Sequence, residues 1–328
     1  MTDDTLNNPH DHFFRNSFSY PDVSVPFFQR YLRVEVREGL DFATLAMEPG
    51  SFVDARLADH HTDLLFSIGC QNGPPARLFL LLEHKSYNTP WAGLQLLDYL
   101  VRIWQQEAKE RRQPPLTPVI GMVLYHGEST WTGGERFAPL VNTPAALARF
   151  TPDFEFVLCD LHQEQLDYLQ DAARLAIALQ LLKFIRSDEL PARLPEIFEL
   201  FQKLEVHEDD ALAYAGTAIR YIVRVARQVD RATLEAAVVK GLPPGLGERV
   251  MPTIAESWIE EGRLEGIQKG RIEEARWVLH ELLRQRFGEL PESAKQRVEQ
   301  ADQETLHRWI FQVLSAGSLD EVFRGDRR

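Results

Sequence analysis

Asp63, Glu83 and Lys85 are the residues whose types and spacing could do chemistry together. Between them lies Asn72-Gly73, a strong turn signal, flanked by strand candidates over Thr62 to Gly69 and Arg77 to Lys85. In a register symmetric about Gly73 opposed positions sum to 146, so Asp63 faces Glu83 and His61 faces Lys85. Directly opposed residues of an antiparallel pair share a sheet face, as do residues two apart on one strand. The three then form one cluster at the end of two neighbouring strands. Converging carboxylates repel unless they share a proton or a cation. A Mg²⁺ ion satisfies both and leaves positions open for water and phosphate oxygens. An ordinary salt-bridge cluster at a sheet edge would use the same residues, so the surrounding elements matter.

The run Arg77-Leu-Phe-Leu-Leu-Leu-Leu82 reads as a buried strand leading into Glu83-His84-Lys85, where charge needs partners. Pro9 to Ser19 reads as an amphipathic helix with Phe13, Phe14 and Phe18 as its stripe, and Pro26 to Leu32 as a second short helix. A further strand is expected over Phe52 to Asp59. Pro90 can open a helix that Leu94, Leu97, Leu100, Val101 and Trp104 carry to about Glu110. After Pro114-Pro115 come a strand over Pro118 to Tyr125, another over Phe154 to Asp160, and a helix from Glu164 to Ile185. This order implies a mixed α/β core. No Gly-rich turn joins a first strand to a helix, which argues against a doubly wound dinucleotide fold.

Gln95 and Tyr99, four apart, share one face of the helix after the E-x-K strand. With Asp63, Glu83 and Lys85, this arrangement resembles the PD-(D/E)XK nuclease superfamily, although Thr62 stands where the motif's Pro would be. Several ordered segments resemble the recombination-promoting nuclease and YhgA-like transposase (Rpn) family. They are Pro9-His-Asp-His-Phe-Phe-Arg15, Ser51-Phe-Val-Asp54, Thr62-Asp-Leu-Leu-Phe66, Leu82-Glu-His-Lys-Ser86, the run from Leu96 to Trp104, and Val123-Leu-Tyr-His-Gly127. The resemblance covers roughly residues 9 to 200. Lys85 departs from the Gln common in the family toward the Lys of the wider superfamily, and Gln95 and Asp98 stand where relatives often carry basic residues. The resemblance implies a PD-(D/E)XK restriction-endonuclease-like core and a metal-dependent DNA endonuclease linked to recombination and mobile elements. Asp63 and Glu83 would hold Mg²⁺, with Mn²⁺ or Ca²⁺ as substitutes. Lys85 would position water or stabilise transition-state charge, and Gln95 would orient a ligand or phosphate oxygen with Tyr99 supporting it.

Other residues invite weaker readings. Asp11 fits a helix N-terminal cap or dipole partner, and related nucleases place an acid on their first helix, which would make it a support of the metal site. His10-Asp11-His12 and His60-His61 lack the helical spacing or thiolate partner of a zinc site. Tyr125-His126-Gly127 is either a functional strand end or a plain turn, and Asp160 reads as a strand-to-helix cap. Ser86 and Ser129 have no Ser-His-acid context.

The expected organisation is a nuclease-like domain over residues 1–186, a helical extension over 187–255, a charged Gly-containing helix or linker over 256–274, and a small helical unit over 275–328. Gly262, Gly266 and Gly270 suggest a close helix approach, with a second copy of the chain as one partner, so a homo-oligomer through the C-terminal helices is a candidate. Trp277, Leu279, Leu282, Leu283 and Phe287 supply the apolar periodicity of the last unit.

Composition bounds these readings. In 328 residues, 44% are hydrophobic and 26% charged, ample for a large core. No run approaches the ~18 apolar residues of a membrane span. The acidic N-terminus lacks the order of a signal peptide, and Cys70 and Cys159 cannot form a disulfide framework, so the expectation is cytoplasmic and not membrane-bound. The 36 basic against 49 acidic residues give −13, which argues against broad electrostatic DNA binding. It leaves room for an enzyme that meets DNA through a cation, or for a non-catalytic interaction protein on a nuclease scaffold in a transposition or defence assembly.

Overall fold

The apolar run ahead of the charged trio becomes the middle strand of a five-stranded sheet in a computed structural model, which describes residues 9–48, 64–71, 77–111, 113–166 and 169–323. Strand β1 is Leu40–Met47, β2 Leu64–Cys70, β3 Arg77–Lys85, β4 Val119–Tyr125 and β5 Val157–Asp160. They lie side by side in chain order. β3 pairs antiparallel with β2 and parallel with β4, which pairs parallel with β5. A continuous apolar run suits a strand covered on both faces. The β2–β3 register puts Leu64 opposite Leu82 and Gly69 opposite Arg77, as a turn centred on Gly73 requires. Asp63, the Asn72-Gly73 turn and the strand expected over Phe52 to Asp59 lie outside the described residues.

Parallel pairing of β3 with β4 needs a crossover, which helix α4 (Ala92–Arg111) supplies. Its Ala92, Leu96, Tyr99 and Ile103 pack with Leu65, Val123, Tyr125, Trp131 and Phe156 on one face of the sheet. The far end of α4 is pinned by Glu107, a buried carboxylate that accepts from the Thr117 amide at 2.8 Å and from its hydroxyl. Trp104 Nε1 donates to the Thr117 carbonyl at 2.8 Å. Glu107→Ala would strand buried donors, so urea denaturation is expected to show a loss of about 1–3 kcal/mol. A loss of only a few tenths would mean this contact does not brace the crossover.

Helices α1 (Pro9–Phe18), α2 (Pro21–Tyr31), α5 (Ala173–Phe184) and α7 (Glu208–Val225) pack together, with α2 also against β1 and β5. Phe28 of α2 meets Phe66 of β2 edge-on at 5.0 Å, which places this layer on the sheet's other face. α5 is buried around most of its circumference: Leu175 through Leu179, Leu181 and Leu182 are all buried. α3 (Val34–Arg37) leads into β1, and α6 (Leu190–Glu199) packs on α8 (Arg231–Gly241). Gly241 is required there, since a Cβ would sit 2.5 Å from the Pro195 carbonyl oxygen.

Several boundaries differ from the sequence expectation. α2 begins at Pro21, not Pro26; Pro21 takes the first helical turn, and the buried stripe already starts at Val23. β1 was not anticipated: its ladder is interrupted between Asp41 and Ala46, and most of it is half-buried or exposed, so it carries no clear alternation. The helix expected from Glu164 begins at Ala173, because Asp160 bends the chain into a turn by accepting from the His162 amide and Gln163 Nε2. Asp160 therefore caps a turn, not a helix, and also accepts from the Trp131 amide at 3.0 Å.

The chain divides into units at Ala255/Glu256, a boundary that falls inside the long helix α9 (Pro244–Phe287). In the second unit α10 (Glu292–Gln300), α11 (Gln303–Ser315) and α12 (Leu319–Val322) share a core with α9 through Leu279, Leu283, Leu306, Trp309 and Phe323. Trp277, expected in that stripe, is exposed. A Cβ at Gly262, Gly266 or Gly270 would meet nothing within 4 Å, so no close approach within the described chain explains them. Among the described residues no helix is long and apolar enough to cross a membrane. Both cysteines are free.

Candidate active site

Lys85 closes β3 and is only 6% exposed. Its parallel partner in β4 is Tyr125, and the His126 amide donates to the Lys85 carbonyl at 2.9 Å. Partnered positions share a face, and Tyr125 belongs to the core cluster under α4, so Lys85 takes the α4 side. Tyr99 is buried in that cluster. Gln95 lies on the same helix, three residues after Ala92 and four before Tyr99, and its Oε1 is buried with no hydrogen-bond partner among the described residues. The structure thus brings Lys85, Tyr99 and the helix carrying Gln95 to one face. Glu83 occupies the β3 position opposite Val123, and Asp63 lies outside the described residues.

Asp11 goes to the other face. It stands in the first turn of α1, buried, with Oδ1 3.5 Å from His84 Nδ1. His84 alternates with Lys85 on β3 and so faces α1, where it stacks on Phe14 with centroids 4.8 Å apart. His126, just past β4, stacks on His84 at 4.8 Å and 19°, and His10 of α1 lies 5.3 Å from His126. His10 Nδ1 is 2.8 Å from the Tyr221 hydroxyl of α7, and Arg186 Nη2 donates to its Nε2 at 3.0 Å. His126, left open by sequence as a strand-end function or a turn, is one third of a buried imidazole cluster.

Burial drives these rings toward the neutral form. His10 is lowered to about 4 by burial and then by the Arg186 charge. His126 is lowered to about 3 by burial, His10 and Arg186. His84 is held well below the usual imidazole range by burial first, then by His126, His10, Lys85 and Arg15. His126 also bonds the Leu182 backbone, while among the described residues its Nε2 and both His84 nitrogens have no hydrogen-bond partner. The near-parallel rings keep the His84 and His126 lone pairs from converging on one point, and both His10 nitrogens are engaged. Among the described residues no group of three or more His, Cys, Asp or Glu could hold a metal ion. The cluster therefore reads as packing that ties α1 and α7 to the strand ends carrying Lys85.

Beside it a cavity of about 520 Å³ is lined by His126, Glu128, His162, Lys183, Arg186 and Arg193 among others. Arg193 is paired to Glu189 at 2.8 Å, and Lys183 donates to the Glu164 carbonyl. No single sign of charge dominates it. The imidazole cluster escaped sequence reasoning because its members are far apart in the chain; the only local signal was a His at each of two strand ends and one helix start.

The sequence is similar to that of known proteins. Residues 8–212 match the family described as "Putative transposase, YhgA-like". The chain is similar to recombination-promoting nuclease RpnC of Escherichia coli K12, 28% identical over 78% of this chain and 82% of the relative. RpnD of Escherichia coli O157:H7 is 32% identical over 39% of this chain, a match spanning about half of that protein (48%). An inactive recombination-promoting nuclease-like protein, RpnE of Escherichia coli K12, is 26% identical over 88% of this chain and 93% of the relative. No solved structure matches the chain.

Proposed function

The chain belongs to the YhgA-like transposase family, and from that premise we propose that it is a Mg²⁺-dependent DNA endonuclease built on a PD-(D/E)XK core. The observation that carries this reading is Lys85: a cationic side chain buried at the end of the middle strand, on the face covered by the Gln95–Tyr99 helix. At that place an ammonium would be able to serve a phosphate oxygen, as a charge-assisted donor. The names of the relatives RpnC and RpnD support a recombination-linked nuclease.

Asp63 and Glu83 would hold the cation, and the buried Oε1 of Gln95, without a hydrogen-bond partner among the described residues, is a further oxygen of the kind that hard cations and their waters take. When bound, Mg²⁺ supplies polarisation of the scissile phosphate and a more acidic water. Lys85 would position the attacking water or donate to the oxygen on which charge develops. Gln95 orients a phosphate oxygen, and Tyr99 fixes the helix face from which it reaches. No covalent enzyme intermediate is required.

Supercoiled plasmid incubated with Mg²⁺ is expected to become nicked and then linear, and EDTA is expected to abolish this. Folded protein that leaves the plasmid intact, or cleaves equally in EDTA, would overturn the reading. The second reading, a non-catalytic interaction protein on the same scaffold, is favoured by the similarity to a relative named inactive across 88% of this chain. That outcome would replace the enzyme.

A further inference from the structure

Immediately beyond Lys85, two large aromatic side chains stand out from the surface: Tyr87 is 60% exposed and Trp91 57%. Leu94, three residues after Trp91 at the start of α4, is also exposed. Lys85 Nζ lies 5.8 Å from the centre of the Tyr87 ring, so the patch adjoins the proposed catalytic lysine.

The segment that carries them is firmly held. Asn88 Nδ2 donates to the Thr130 carbonyl at 2.9 Å and to the Tyr125 hydroxyl and Ser129 Oγ, both at 3.1 Å. Its Oδ1 accepts from the Thr132 amide at 2.9 Å. The Trp91 amide donates to Thr89 Oγ1, and the Trp91 carbonyl accepts from the Gln95 amide at 3.0 Å. Asn88 therefore spends its amide on pinning the loop while its aromatic neighbours remain in water. A rigid backbone that presents flat apolar faces binds with little ordering cost.

The chemistry of the rings narrows what those faces meet. From Ser86 to Val101 the chain has no Lys or Arg, with Lys85 just before that stretch. Single strands and duplexes both carry phosphates to be neutralised, so the aromatic faces, not charge, separate the two. Base faces are a different target: any unpaired base offers one to an aromatic ring, whereas bases inside a duplex are already stacked on each other.

We propose that Tyr87 and Trp91 form a stacking platform for unpaired bases, so that the substrate is single-stranded or locally opened DNA delivered to Lys85. This deepens the nuclease reading and rests on it for the identity of the site. In EDTA, fluorescence anisotropy of a labelled DNA oligonucleotide is expected to show tighter binding of the single strand than of the same strand annealed to its complement. Tyr87→Ala and Trp91→Ala are each expected to weaken single-strand binding about tenfold, within the range for loss of one stacked base. Trp91→Phe should restore most of it. Both positions are more than half exposed, so the variants should keep the wild-type circular dichroism.

Equal affinity for single strand and duplex, or Ala variants that bind as tightly as wild type, would overturn the platform. Tighter binding of a single-stranded RNA of the same sequence would overturn the assignment to DNA, and no oligonucleotide binding would give the patch to a protein partner. The two readings fail separately. Mg²⁺-dependent plasmid cleavage without single-strand preference removes the platform alone, whereas single-strand preference without any cleavage removes the nuclease alone.

Discussion

Lys85→Met is expected to cleave plasmid about 10²–10³-fold more slowly than wild type at saturating Mg²⁺, the usual effect of removing one preorganised donor to developing charge. Lys85 is buried at the end of the middle strand, so Ala would leave a void and confuse chemistry with folding. Met keeps most of the volume and deletes the charge, which isolates the ammonium. Arg should not rescue, because a planar guanidinium places its donors differently from a compact ammonium. Asp63→Asn should cause a loss of similar size by removing one holder of the cation. Groups that act as one unit are non-additive, so the double variant should be little slower than either single. If Lys85→Met stays within threefold of wild type while folded, Lys85 is a structural cation and the site lies elsewhere.

Acid should unfold the protein steeply through the imidazole cluster. An unfolded His titrates near 6.5, whereas His10 and His126 in the fold are lowered to about 4 and about 3. Below pH 6.5 the unfolded chain therefore binds protons that the native state refuses, and stability falls as pH falls. Each such group contributes about 1.4 kcal/mol per pH unit within its window. Together His10 and His126 give about 3 kcal/mol per unit between roughly pH 6 and pH 4, and His84, also lowered, steepens this. Above pH 7 all three are neutral in both states, so they add no slope. Urea midpoints from pH 8 to pH 5 should be flat and then drop. His126→Phe keeps an aromatic ring against His84 but removes one titration, so its acid slope should be shallower by about one group's share. An unchanged slope in that variant would mean the cluster does not control acid stability.

Parts of this protein were legible because they are local. Phe13, Phe14 and Phe18 mark the buried stripe of α1, and the run from Leu78 to Leu82 marks strand β3. The β2–β3 register follows from one turn signal, and a hairpin transmits register along its whole length. The start of α2 was less legible, because Pro21 and Pro26 both carry helix-opening signals and only the burial of Val23 separates them. β1 was invisible, because its break between Asp41 and Ala46 removes the alternation by which strands are recognised. Of the candidate site, the types and order of Lys85, Gln95 and Tyr99 were readable; the burial of the Gln95 amide oxygen, with no hydrogen-bond partner among the described residues, was not.

The amino-acid sequence alone determined that an apolar strand runs into Glu83-His84-Lys85 and that a Gln–Tyr helix follows it, since periodicity and turn chemistry act between near neighbours. The tertiary structure decided which faces His84 and Lys85 serve and what surrounds them. Lys85 is set under α4 by its pairing with Tyr125, while His84 meets rings brought from positions 10 and 126. The His10–Tyr221 bond joins residues 211 apart in the chain. No local pattern encodes such contacts, because they form only when helices from both ends of the unit close over the sheet and burial strips the imidazoles of their water.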